Sequence, residues 1–276
     1  GTELDIDDAL DTCDVIFFPT GGGKTEAYLG LVVFTAFHDG LRGKDYGMTA
    51  LTKFPLRLLS LQQLQRIANV LCQAETIRRE EAMGGEPFSI GYFVGNNNTP
   101  NDIIETDENY ETVNNARLAR DSADHQQQWL ALPECPYCGE ETVEVTGDTE
   151  RLRIIHQCTN TGGPEMDPCP EVERQGGEHA ELPIYITDNE VYRYAPTFVV
   201  STIDKIAVVG SNRRFRGLLG QMKYECPEHG YTAEEQCLLA SGFLPDDVSC
   251  DRHSPDSLNP VEATDPPSLE TMVSLW

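Results

Sequence analysis

Three stretches of the chain combine residue types and spacings that do chemistry. The first is Pro-Thr-Gly-Gly-Gly-Lys-Thr at residues 19–25. Successive glycines let backbone N–H groups point at phosphate oxygens, a lysine reaches the β and γ phosphates, and a hydroxyl ligates Mg²⁺. Thr20, Gly21, Gly22, Gly23, Lys24 and Thr25 therefore predict a phosphate loop that takes ATP with Mg²⁺. The general pattern places a glycine where this chain has Phe18. The second stretch is Cys135-Pro-Tyr-Cys138-Gly, followed by Cys158 and Cys169. A C-x2-C knuckle lets two thiolates converge on one ion, and an intervening hairpin returns the other two, as in a zinc ribbon. The Cys158–Cys169 gap is wider than the usual two residues, and His156 is the substitute ligand if Cys169 lies too far away. The third stretch repeats the two-residue spacing twice, in Cys226/His229 and Cys250/His253, and predicts a second structural Zn²⁺ site in which Cys237 can replace any one ligand.

The elements that must position these groups follow from hydrophobic periodicity. Residues 13–18 are a short apolar run, and Lys24 to Phe37 is amphipathic, which reads as strand, loop and helix. Met48 to Phe54 reads as a second strand, Leu58 to about Glu81 as a second helix, and Phe88 to Val94 as a third strand. Strands alternating with helices imply a parallel sheet, so the fold class expected is α/β, a RecA-like phosphate-loop lobe interrupted by a zinc-binding insertion. Residues 1–100 are read as the first part of that lobe and 101–195 as an acidic insertion carrying the ribbon. The lobe returns at 196–225, and 226–276 is a second Cys/His-rich segment. From Asn96 to Gln128 no sustained apolar period is found, and that stretch is expected to be loop. Cys13 and Cys72 stand alone in apolar stretches and are read as core.

Acidic residues number 46 against 20 basic ones, a formal net charge of −26, and only five of the basic residues are lysine. Self-repulsion of that size is relieved by salt, which points to a salt-loving cytoplasm, with an ordinary acidic protein as the alternative. Nine cysteines without a secretion signal favour thiol or metal chemistry over disulfides. No apolar run approaches the roughly 20 residues that span a bilayer, so the expected location is cytoplasmic, without a membrane partner. In so acidic a chain, Arg213, Arg214 and Arg216 form the densest basic cluster and are where phosphate contact is expected, with local ion pairing as the alternative.

Four stretches in order carry a resemblance: PTGGGKTEAYLGL, then KFPLRLLSLQQLQR from Lys53, then IGYFVGNNNTPN from Ile90, and VVSTIDKIA from Val199. Together they resemble superfamily 2 helicases of the DISARM phage-defence type, the DrmA-like proteins, over most of residues 13–220. The resemblance implies that the first stretch binds nucleotide. It further implies that Arg57, Thr99, Ser201, Thr202 and Lys205 lie on segments that meet nucleic acid, with DNA favoured and other defence-system subunits as further partners.

The chain departs from that pattern where a strand ending in paired acids should hold Mg²⁺ and orient water. The nearest candidate, Asp204, is followed by Lys205 rather than a second acid. Residues 266–269 resemble the lead-in to that strand, and no second lobe with an arginine finger follows. The expectation is the N-terminal portion of a helicase, inactive by itself. The alternative is a zinc-stabilised nucleic-acid-binding or scaffold module that binds nucleotide without hydrolysing it. A P-loop kinase would need lid arginines near the phosphate loop, which the sequence lacks.

Overall fold

The structure is a computed structural model that describes residues 23–54, 57–95, 99–106, 110–164, 166–207, 209, 212–240 and 250–264. The strand expected at 13–18, Cys13, and Thr20 to Gly22 of the phosphate loop lie outside the described residues, as do 265–276. Helix α1 spans Lys24–Leu41 and buries Tyr28, Leu29, Val32 and Ala36, one helical stripe. Strand β1 (Ala50–Phe54) leads to α2 (Arg57–Glu80), which buries Leu64, Ile67, Ala68 and Leu71, and β2 (Ile90–Phe93) follows. Cys72 is buried on α2, as expected for a core residue.

The stretch after Asn96 is more ordered than its polarity predicts. It contains the hairpin β3 (Ile104–Thr106) and β4 (Thr112–Asn114), then short helices α3 (Asn115–Asp121) and α4 (Ala123–Gln128). The Asn114 side chain caps α3 by accepting the Arg117 N–H. The residues buried on α3 are Asn115, Ala116 and Ala119, and two alanines are too few apolar positions to give a periodic signal. They pack on β5 (Val143–Asp148) at Gly147, where a Cβ would lie 1.7 Å from the carbonyl oxygen of Ala116. That closeness requires glycine. Strand β6 (Arg153–Cys158) pairs antiparallel with β5, helix α5 (Pro170–Gln175) follows, and β7 (Ala180–Glu181) completes a three-stranded sheet.

Strand β8 (Ile184–Tyr185) pairs parallel with β2, so the chain re-enters the main sheet ahead of the Pro196 boundary read from the sequence. A two-residue strand is too short to show a period of two. Helix α6 (Asp188–Tyr194) begins with a capping box between Thr187 and Glu190, and β9 (Phe198–Thr202) then slots between β1 and β2. The described parallel sheet has the order β1-β9-β2-β8. Alternate residues face opposite layers: Ala50, Phe54, Ile90, Tyr92, Phe198 and Val200 meet α1, α2 and the insertion. Leu51, Phe93 and Val199 meet Val191 and Tyr192 of α6 on the other side. After β9 come α7 (Ile203–Ala207) and α8 (Phe215–Leu218). A small antiparallel sheet then forms from β10 (Tyr224–Cys226), β11 (Gly230–Thr232) and β12 (Asn259–Pro260). No helix among the described residues is long and apolar enough to cross a membrane.

A buried charged network ties the modules together. Glu190 is fully buried, accepts the Ile154 N–H of β6 and pairs with Arg153 at 3.4 Å. Arg193, one helical turn further on, donates to the carbonyls of Arg151, Leu152 and His229. Removing Arg153 would leave the Glu190 carboxylate without its ion-pair partner in a low-dielectric interior, whereas Arg153 also pairs with Glu181.

Candidate metal centres and nucleic-acid interface

The sulfur atoms of Cys135, Cys138, Cys158 and Cys169 lie within 4.8 Å of one another. Cys135 and Cys138 sit on a knuckle closed by the Gly139 N–H to the Cys135 carbonyl, with Gly139 at φ 78°. Cys158 ends β6, and Cys169 is the N-cap of α5. The wide gap before Cys169 is closed by Asn160, whose amide donates to the Asp167 carbonyl and whose own carbonyl accepts the Cys169 N–H. The closest sulfur pairs are 3.8 Å (Cys135 and Cys169) and 4.0 Å (Cys138 and Cys158). A tetrahedron with metal–sulfur bonds of about 2.3 Å has edges of about 3.8 Å, so the four sulfurs fit one ion. His156 stays out: it is fully buried on β6, and its Nε2 accepts the Ala131 N–H.

The electrostatics suit a cation. Burial pushes the Cys135 thiol above its ordinary range and Cys169 up to about 11. Burial also acts on Cys138, but hydrogen bonds from the Glu140 backbone and the Asn160 amide outweigh it and lower that thiol. Cys138 is thus the readiest thiolate, and a bound cation would then deprotonate its neighbours.

The second cluster brings together Cys226, His229, Cys237 and Cys250, again within 4.8 Å. His229 Nδ1 lies 3.5 Å from both Cys226 and Cys237, and Cys226 lies 3.9 Å from Cys250. His229 Nε2 faces the Glu150 carbonyl at 3.1 Å, which fixes the tautomer that leaves Nδ1 free to ligate. Burial lowers the His229 pKa, keeping the ring neutral as a ligand requires. His253, read from the sequence as the fourth ligand, is exposed and outside the cluster. Cys237 takes that place at the start of a 3₁₀ turn, its sulfur accepting the Leu239 N–H. The regular two-residue spacing of Cys250 and His253 misled, because a loop can return a ligand from any distance. Cys237→Ser is accordingly expected to halve the zinc content per chain, and His253→Ala to leave it unchanged, by metal analysis of the purified variants. Equal loss in both would refute the assignment.

Of the residues read from the sequence as a phosphate loop, Gly23 adopts a left-handed conformation (φ 77°) at the N-cap of α1, Lys24 opens that helix and Thr25 is half-buried beside it. Glu26, in the first turn, forms an ion pair with Arg66 of α2. The segments expected to meet nucleic acid leave one edge of the sheet. Phe54 is in register with Thr202, and Phe93 with Ser201, so α2, α7 and the loop after β2 all emerge from the carboxyl ends of three adjacent strands. Arg57 opens α2.

Several side chains on those segments serve the fold itself. Thr99 is buried, Ser201 donates to the Phe93 carbonyl, and Thr202 is nearly buried at the strand end. Lys205 pairs with Asp188 at 2.6 Å, bonds the Asn101 side chain and lies over the Phe93 ring. Burial pushes the Asp188 carboxyl up to about 6 despite that lysine. Arg213, Arg214 and Arg216 differ: all three are exposed, and none forms an ion pair among the described residues.

A curated relative bears on this arrangement. The chain is 32% identical over 235 residues, 80% of its length, to DISARM protein DrmA of Bacillus paralicheniformis (strain ATCC 9945a / NCIMB 11709 / CD-2). It is related to part of a DrmA protein. The match covers 20% of that relative, so the chain spans about a fifth of its length. No protein-family model matches the chain. The likeness to DrmA extends over most of a chain whose described part combines a parallel sheet with two Cys/His clusters able to hold a metal ion.

Proposed function

We propose that this chain is the ATP-binding, zinc-stabilised N-terminal lobe of a nucleic-acid helicase or translocase belonging to a phage-defence system. The observation that carries the reading is the convergence of three nucleic-acid-candidate segments at the carboxyl edge of β1, β9 and β2. Loops at that edge are where open α/β sheets place their ligands. The phosphate-loop sequence and the left-handed Gly23 before α1 support a nucleotide there. Zinc would be held by Cys135, Cys138, Cys158 and Cys169, and by Cys226, His229, Cys237 and Cys250, supplying cross-links rather than catalysis. Similarity to DrmA supports the defence setting, and with it further subunits as partners.

Within this lobe the phosphates of a strand meet Arg213, Arg214 and Arg216. Binding single-stranded DNA there displaces counterions, so affinity falls with salt by roughly 0.7 log units per log unit of salt for each phosphate contact. The triple substitution of these arginines by glutamine should weaken binding and make the salt slope shallower by about 2, as measured by fluorescence anisotropy across a salt series. An unchanged slope would remove the arginines from the interface.

A further inference from the structure

A cavity of about 280 Å³ opens beside Arg214, between α6, the β5–β6 hairpin and the 3₁₀ turn that follows Cys237. Ile103, Leu152, Leu239 and the Tyr192 ring, each buried, supply its apolar side, and Asp102, Asn189, Arg193 and Arg214 line it with polar groups. Leu152 is held at φ 49°, a left-handed conformation that is costly for a bulky side chain. The Arg193 guanidinium fixes it there by donating to its carbonyl. The Tyr192 hydroxyl accepts from the Asn212 amide, which pins the arginine-bearing turn against the cavity. Each metal cluster contributes one wall. Leu152 comes from the hairpin that ends in Cys158, and Leu239 donates its N–H to Cys237.

Resting on the nucleic-acid reading above, we propose that this cavity receives one unstacked base of a single strand whose phosphates lie on Arg213, Arg214 and Arg216. A pocket with one tyrosine and aliphatic side chains on one side and polar groups on the other suits a base, which has an apolar π-face and a polar edge, and the Arg214 guanidinium neutralises the adjoining phosphate. Asp102 on the rim offers a carboxylate to the N–H edge of that base. The two metal centres thereby acquire a role in binding, since each holds one leucine of the pocket in place.

The test compares single-stranded DNA 12-mers, intact or with one abasic position moved along the strand, on the whole zinc-loaded chain. One abasic position is expected to weaken binding about tenfold, within the range of a single stacked base. Ile104→Trp, which fills the cavity from half-exposed β3, should erase that difference while leaving the salt slope unchanged. Ile104→Ala, which leaves the cavity open, should preserve it. Unaltered zinc content and circular dichroism show that both variants fold. Equal affinity for intact and abasic strands at every position would overturn the pocket while leaving the arginine interface standing. An unchanged salt slope in the triple arginine variant would overturn the parent reading instead.

Discussion

Cys158→Ser should cost this chain one of its metal ions and, with it, the order of the whole ribbon from Cys135 to Cys169. Structural zinc supplies an apparent 10–16 kcal/mol in zinc-finger peptides near pH 7, against a total stability of about 5–15 kcal/mol for an ordinary domain. The expected loss is below the peptide value, because Cys135, Cys158 and Cys169 share one apolar cluster with Leu132, Ile154 and Val172, which persists without metal. It still exceeds what the short strands can absorb: β7 pairs through only two residues, and α5 is six residues long. Hydrogen exchange should therefore show residues 143–158 and 170–181 losing protection together, while β1 and α2 keep theirs. Zinc binding must expel thiol protons, so retention should fail as pH drops at both centres of the wild type and at the remaining centre of the variant. A Cys158→Ser chain that holds its full metal content, or exchanges like wild type, would show that the four sulfurs do not form one site.

The sequence was most legible where one residue type repeats at a fixed spacing. The 3.6-residue stripe of α2 and the C-x2-C knuckle both lie where their patterns place them. Legibility failed where order comes from a single close approach or a single closing bond. Helix α3 rests on Gly147 with two alanines, and no periodicity announces that contact. Cys237 comes in at a three-residue turn in the place expected of His253, so that ligand follows from loop geometry that spacing does not encode. The same limit applies to the internal bonds of Ser201 and Lys205, which their motif does not announce. Their partners Phe93 and Asn101 lie 108 and 104 residues away in sequence, and the pairing of β9 with β2 brings them near.

ATP is expected to bind this chain without nucleic-acid-stimulated turnover. Lys24 opens α1 directly after the left-handed Gly23, with Thr25 beside it, and calorimetry in high salt should show binding that Lys24→Ala abolishes. Hydrolysis needs more: acids that hold Mg²⁺ and orient water, and a cationic group that stabilises charge on the phosphoryl being transferred. Neither a strand ending in paired acids nor an arginine finger occurs among the stretches that carry the helicase resemblance. An arginine finger alone is worth 10³–10⁵ in rate, about 4–7 kcal/mol of barrier, so turnover near background is the expected result for these stretches assayed by themselves. The acid that the sequence offers against this is Asp204, exposed in the first turn of α7 and next to the carboxyl end of β9, where a metal-binding acid would be useful. A DNA-stimulated rate of about 1 s⁻¹ that disappears in both Lys24→Ala and Asp204→Asn would make Asp204 the missing acid and the lobe catalytic in its own right. The same rate surviving Lys24→Ala would trace to a contaminant and leave the binding-only lobe in place.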